Sequence, residues 1–228
     1  MTYSVTGIPA SLTRAHVGTS GWGYGSWRPD FYPAGLEPEA FLGHYAQHFR
    51  AVELNSTKYR LPSEEQFTRW AGQVPDDFLF AVKAPPGVMR RIDTFQNRVR
   101  MLGDRLGCVR VVVESPRDDG FLELLLGSVD PSLRWVLDLR HPSWNGVEAR
   151  LAEVGAVRVG DTEGAAGWCY LRFRDPPYDD GTLTTIAASV AGLLDRGLEV
   201  FAFFRHEEAP TAPEYAARLL RLLAGRGS

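Results

Sequence analysis

The stretch VELNSTKYRLP, residues 52–62, opens like a β-strand and stops at a proline. Val52 and Leu54 alternate with Glu53 and Asn55, the period of two that sends successive side chains to opposite faces. One face suits a packed apolar neighbour. The other must suit a carboxylate. Three more stretches repeat the pattern. In FAVKA (80–84), Phe80 and Val82 oppose Ala81 and Lys83. In VLDLRHPSW (136–144), Leu137 and Leu139 oppose Asp138 and Arg140, and in YLRFR (170–174), Leu171 and Phe173 oppose Tyr170 and Arg172, with Arg174 next in line.

These stretches belong to a longer alternation. Strand-like runs occur at 17–21, 51–55, 78–83, 109–114, 134–140, 156–160, 169–173 and 199–204. Helical patterns lie between most of them, at 37–49, 92–106, 120–128, 147–154 and 183–194. Two more helices announce themselves by capping boxes. Ser63-Glu64-Glu65-Gln66 precedes the stripe Phe67, Trp70, Ala71, Val74, and Thr211-Ala212-Pro213-Glu214 precedes Ala216, Leu219, Leu220, Leu223. The segment 161–167 is too short for a helix. Eight strands alternating with helices predict a small α/β TIM-type (β/α)₈ barrel with an abbreviated connection between strands 6 and 7. An open doubly wound sheet is the rival, but GTSGWGYGSW (18–27) does not fit the GxGxxG turn that it would carry. No linker or repeat interrupts the chain, so residues 17–228 read as one domain behind an N-terminal extension, 1–16.

Composition narrows the function. The 228 residues are 44% apolar and 23% charged, with net charge −3, which argues against a general affinity for nucleic acid or acidic membranes. No apolar run approaches the roughly 20 residues needed to span a bilayer. The N-terminus lacks the pattern of a secretory signal, so a cytoplasmic location is expected. Cys108 and Cys169, without CxxC spacing, read as buried free thiols.

In a barrel, one parity of each strand faces the helices and the other faces the interior. Glu53, Lys83, Asp138, Arg140 and Arg172 share the interior parity, near the C-terminal strand ends where barrel active sites form. An isolated buried charge costs several kcal/mol, so these groups must pair with one another or meet a ligand. Glu53 reads either as a general base or metal ligand or as a salt-bridge partner for Lys83 or Arg140. The excess of positive groups favours an anion. Glu53 and Asp138 are candidate acid and base, with His141 beside them. Tyr24, Trp27, Asn55, Tyr59, Lys83, Arg140 and Arg172 are candidate substrate-binding residues. The same ring would also serve as a purely structural ion-pair network.

Glu53, Asp138, Asp161, His141 and His206 include the residue types of a divalent-metal site, but no HxH or HExxH spacing supports one. No metal site and no cofactor is assigned. His16, His44 and His48 read as surface or helix residues, and Arg90, Arg91, Arg98, Arg100 and Arg105 as a solvated face.

GTSGW (18–22), Tyr24, Trp27, FYP (31–33), the opening stretch, FAVKA, LDLRHPSW (137–144) and YLRFR together resemble the YecE-like family, also called domain of unknown function seventy-two. The resemblance implies a TIM barrel and carries no established activity. It places the family's polar motif on Tyr24, Trp27, Glu53, Asn55, Tyr59, Arg60, Lys83, Arg140, His141, Trp144 and Arg172. It also marks departures: Asp138 stands where the family usually has Glu, and Phe204-Arg205-His206 where it usually has Phe-Asn-Asn. The expected function is a hydrolase or lyase acting on a small anionic polar molecule, such as a phosphorylated one. The alternatives are a non-catalytic barrel that binds an anionic metabolite and a metal-dependent nuclease or phosphodiesterase-like barrel.

Overall fold

The computed structural model describes residues 12–55 and 61–226. Eight parallel strands run in the order β6-β5-β4-β3-β2-β1-β8-β7. They are β1 Ala15–Ser20, β2 Ala51–Leu54, β3 Leu79–Lys83, β4 Leu106–Val113, β5 Trp135–Leu139, β6 Val157–Arg158, β7 Trp168–Phe173 and β8 Glu199–Phe204. The two ends of this sheet meet where Val159 bridges Tyr170 and the Gly160 amide donates to the Tyr170 carbonyl at 2.9 Å. The result is a (β/α)₈-type barrel whose closure is thinnest at the two-residue β6. No helix connects β6 to β7, as the short segment between them predicts.

The helices are α1 Phe41–Ala46, α2 Glu64–Gly72, α3 Ile92–Val99, α4 Asp119–Ser128, α5 Glu148–Ala152, α6 Asp180–Asp195 and α7 Thr211–Ala224. Among the described residues, no helix is long and apolar enough to cross a membrane.

Strand parity divides the buried residues into two cores. Val52, Leu54, Phe80, Val82, Leu137 and Leu139 pack outward beneath the helices. Inside, small Ala51, Ala81 and Cys108 leave room for Tyr170, Phe201 and Phe203, which fill the barrel. The N-terminal end of the interior is polar as well. His16 Nε2 meets Glu199 Oε1 at 2.7 Å, and Arg134 Nη1 meets Glu199 Oε2 at 2.8 Å. The His16 ring lies against Phe201, 4.6 Å between centroids.

Several local expectations are corrected. His16 is buried in the interior and is no surface residue, because β1 begins at Ala15, two residues before the expected start. The helix expected over 37–49 is a 3-10 turn, Pro38–Ala40, followed by the short α1. The helix expected over 92–106 ends at Val99 and continues as 3-10 turns broken at Gly103, whose φ of 57° suits glycine. β4 therefore begins at Leu106, earlier than the sequence pattern indicates.

The first capping box forms in part: Ser63 Oγ accepts from the Gln66 amide at 3.3 Å. The second does not, since the N-cap of α7 is Pro210 and Thr211 Oγ1 donates to Glu207 Oε2 at 2.7 Å. The apolar stripe Ala216, Leu219, Leu220, Leu223 is buried as expected.

The interior filling sets a stability test. Phe203, fully buried inside the barrel, should cost about 3–5 kcal/mol when changed to Ala, read by urea unfolding. Leu124→Ala, at a side chain 61% exposed on α4, should stay within about 0.5 kcal/mol. Comparable losses at the two sites would contradict the assignment of the interior.

Candidate functional site

At the C-terminal end of the barrel, interior-facing polar residues from five strands meet. Glu53 on β2 is completely buried. Its Oε1 accepts from the Tyr170 hydroxyl at 2.6 Å and lies 2.8 Å from Arg110 Nε. Its Oε2 accepts from Arg172 Nε at 3.0 Å and from Asn55 Nδ2 at 3.1 Å. These four contacts match the acceptor capacity of one carboxylate. Burial alone pushes this carboxyl's pKa up, but the guanidinium groups of Arg110 and Arg172, with Tyr170 and Asn55, outweigh it and hold the value at about 2. A carboxylate so acidic and so fully engaged does not abstract protons near neutral pH. Glu53 thus anchors Arg110 and Arg172.

Arg110 on β4 joins this carboxylate to the next one. Its Nη1 donates to Asp138 Oδ2 at 2.5 Å, and the side chain is 1% exposed. The same Asp138 oxygen accepts from Arg174 Nη2 at 2.6 Å and lies 3.6 Å from Arg140 Nε. Arg140 Nη1 also pairs with Glu114 Oε1 at 2.6 Å. On the other flank, Arg172 Nη2 and Asn55 Nδ2 donate to Ser20 Oγ at 3.0 and 2.5 Å. The Ser20 carbonyl accepts from the Tyr24 hydroxyl at 2.8 Å. Gly21, at φ 93°, permits this return of the chain, and a Cβ there would lie 2.5 Å from the Tyr24 hydroxyl. The network runs unbroken from Tyr24 through Ser20, Arg172, Glu53, Arg110 and Asp138 to Arg174 and Arg140.

Tyr24, Asn55, Glu53, Asp138, Arg140 and Arg172 therefore come together, as their shared parity suggests. The pairing differs from expectation. Glu53 meets Arg110 and Arg172 rather than Lys83 or Arg140. Lys83, half-buried at the end of β3, stands in register with Arg110 and lines an adjoining cleft.

Trp27 is wholly buried, its Nε1 donating to the Glu207 carbonyl at 3.2 Å, so it closes the barrel end and is not open to a ligand. His141 Nδ1 accepts from the Ser143 amide at 3.2 Å, which makes it the cap of the 3-10 turn Pro142–Trp144. Tyr59 and Arg60 lie outside the described residues.

Arg110 escaped the sequence reading, and His206 entered it only among the residue types of a metal site. Arg110 interrupts the apolar run Cys108–Val113 on the interior parity, and a lone charge there had to find a buried partner. His206 stacks on Tyr24, 4.4 Å between centroids at 12°. Burial, then the nearby charges of Arg172 and Arg205, lower its pKa and favour the neutral ring.

Among the described residues, no group of three or more His, Cys, Asp and Glu side chains is arranged to hold a metal ion. Cys108 and Cys169 are both buried and free. Beside Asp138, Arg140 and Arg174 opens a cleft of about 430 Å³, also lined by Arg158 and Asp161.

Removing one member of a buried ion pair leaves the other uncompensated, so Glu53→Gln should cost roughly 3–5 kcal/mol in urea unfolding. A loss under about 1 kcal/mol would contradict the network. The pH dependence has a definite sign. The Glu53 carboxyl falls from its ordinary 4.5 to about 2 on folding, so its stabilisation is present above 4.5 and is lost as pH drops toward 2. Between those limits the wild type should lose more stability than Glu53→Gln, measured by urea midpoints; parallel curves would count against it.

The comparisons agree with this architecture. The family model described as protein of unknown function DUF72 matches residues 16–228. The chain is similar to UPF0759 protein YecE of Escherichia coli K12, 30% identical over 115 residues covering 45% of this chain and 42% of YecE. It is also similar to UPF0759 protein YunF of Bacillus subtilis 168, 30% identical over 73 residues, 32% of this chain and 25% of YunF. The matched region thus spans less than half the length of these curated relatives. In fold, it is similar to the crystal structure of a DUF72 family protein from Thermotoga maritima MSB8. The TM-score is 0.80 at 24% identity, covering 91% of this chain and 98% of that one. A second DUF72 family structure, from Enterococcus faecalis V583, gives a TM-score of 0.74 at 17% identity over 81% and 93% of the two chains. A single family match that takes in all the strands building this mouth settles the relationship: the chain belongs to the DUF72 family.

Proposed function

We propose that the barrel mouth binds a small molecule bearing a phosphate or carboxylate group. One observation carries this reading. Three guanidinium groups, of Arg110, Arg174 and Arg140, converge on a single oxygen of Asp138 beside an open cleft. Around the mouth Arg110, Arg140, Arg158, Arg172 and Arg174 face Glu53, Glu114, Asp138, Glu148 and Asp161, so the convergence of guanidinium forks on one point, and not an excess of charge, is what suits an anion.

The four arginines divide the labour by exposure. Arg110 and Arg172, 1% and 10% exposed, are held from below by Glu53. Arg174 and Arg140, 31% and 40% exposed, line the cleft. The pair between Arg140 and Glu114 joins side chains 40% and 72% exposed, so it contributes little and yields readily to a better acceptor. A phosphate or carboxylate would accept charge-assisted, bidentate hydrogen bonds from guanidinium forks fixed in advance by Asp138.

A hydrolase or lyase acting on the bound anion is the second reading, and His206 is what favours it. Its ring lies on Tyr24 near Arg172 and is held neutral, ready to accept a proton. On this reading proton transfer falls to His206 rather than to Glu53, whose two oxygens are engaged by Arg110, Tyr170, Arg172 and Asn55. The metal-dependent nuclease alternative gains no support from that arrangement, because cations already occupy the carboxylates a metal would need.

Isothermal titration with inorganic phosphate and with acetate tests the first reading. At least one should bind, more weakly as salt rises. Arg174→Gln should weaken binding roughly 10- to 100-fold, the loss of a charge-assisted hydrogen bond of about 1.5–3 kcal/mol. Absence of binding by either anion, or an Arg174→Gln variant with wild-type affinity, would overturn it. For the second reading, a phosphomonoester turned over by the wild type should bind to His206→Ala without turnover.

A further inference from the structure

A second cleft, of about 550 Å³, opens on the other side of the mouth. Arg140 lines both clefts and forms the wall between them. The two differ in chemistry. Ionic side chains dominate the first, whereas the second joins the apolar Pro86, Val88, Met89, Val112 and Phe121 to the charged Arg90 and Glu114. Lys83 completes its inner edge.

Three separate elements bring this apolar surface together. Met89 belongs to the 3-10 turn after β3, Val112 to the interior face of β4 beyond Arg110, and Phe121 to the first turn of α4. All three remain half-buried and border one concavity. Apolar area left open in a concave site, with a few charged groups converging at one end, is the usual form of a small-molecule pocket. The ionic cleft alone lacks that form.

We propose that the ligand is an amphipathic anion. Its phosphate or carboxylate head lies at Arg140, between Arg174 on one side and Lys83 on the other, and its flat apolar body lies in the second cleft against Met89, Val112 and Phe121. This inference rests on the anion-binding reading of the mouth and names the class of molecule that the mouth selects. Arg140 is the hinge of the argument: its weak surface pair with Glu114 lies along the second cleft, so an incoming anion replaces Glu114 while the apolar body covers the surface beside it.

Isothermal titration of the full chain with inorganic phosphate, phenyl phosphate and phenol tests this. Phenyl phosphate should bind roughly tenfold or more tighter than inorganic phosphate, from the apolar area it buries, and roughly tenfold or more tighter than phenol. Phe121→Ala and, separately, Met89→Ser should each bring phenyl phosphate down toward the affinity of inorganic phosphate for the wild type, with melting temperatures reporting that both variants fold. Equal affinity for phosphate and phenyl phosphate overturns the inference and leaves the anion site standing. Phenol as tight as phenyl phosphate, or a phenyl preference that survives both substitutions, also overturns it. If neither the phosphate compounds nor acetate binds, the anion-binding reading falls and the inference falls with it; if acetate alone binds, benzoate replaces phenyl phosphate in the same comparison, and equal affinity for acetate and benzoate overturns the inference.

Discussion

The Arg110 guanidinium, shut inside the barrel between two carboxylates, is the contact on which the mouth depends. Its Nε faces Glu53 at 2.8 Å and its Nη1 faces Asp138 at 2.5 Å. Burying either carboxylate without a cation, or the cation without them, would cost several kcal/mol. This mutual compensation lets three strands place ionic groups in one dry layer. From that layer the network reaches outward: Glu53 holds Arg172, and Asp138 holds Arg174, which emerges at the cleft. The barrel floor beneath, packed by Phe201, Phe203 and Tyr170, keeps water from relaxing the arrangement from below.

Buried ion pairs are weak evidence for stability, since well-packed apolar side chains of similar volume often serve as well or better. The barrel interior could have been filled throughout as it is at Phe203. That ionic groups among the described residues occupy the two ends of the interior, and that three guanidinium groups share one Asp138 oxygen at the C-terminal end, fits positioning better than stabilisation. The cluster at the opposite end behaves differently: Glu199 there is shared between His16 and Arg134 against the Phe201 ring, a closed set at the face where barrels invest in stability. The two ends use the same residue types to opposite purpose.

Much of this was legible in the chain because strand parity is a local property. Glu53, Asp138, Arg140 and Arg172 each declared their face by their immediate neighbours, and eight such segments sufficed for the barrel. Partner choice was not legible. Glu53 meets Tyr170 and Arg172, more than a hundred residues away, across the barrel interior, and no local pattern encodes which strands face each other there. Arg110 was hidden by its setting: the apolar run around it reads as a wholly buried strand, and only the cost of an unpaired charge marks it. His16 was misplaced because β1 begins two residues earlier than its apolar pattern, and Trp27 because burial of a loop aromatic depends on the Glu207 segment that covers it. His141 owes its place to the turn at Pro142, which directs the ring toward Ser143.

The compensation at Arg110 is tested most directly by following the Glu53 side-chain carboxyl by carbon-13 NMR during an acid titration, with Glu53→Gln supplying the assignment. The signal should stay that of a carboxylate through the ordinary range of such groups and move only near pH 2, or when the protein unfolds. A midpoint at or above 4.5 in the folded protein would mean that the arginines do not hold this charge, and the account of the mouth would fail.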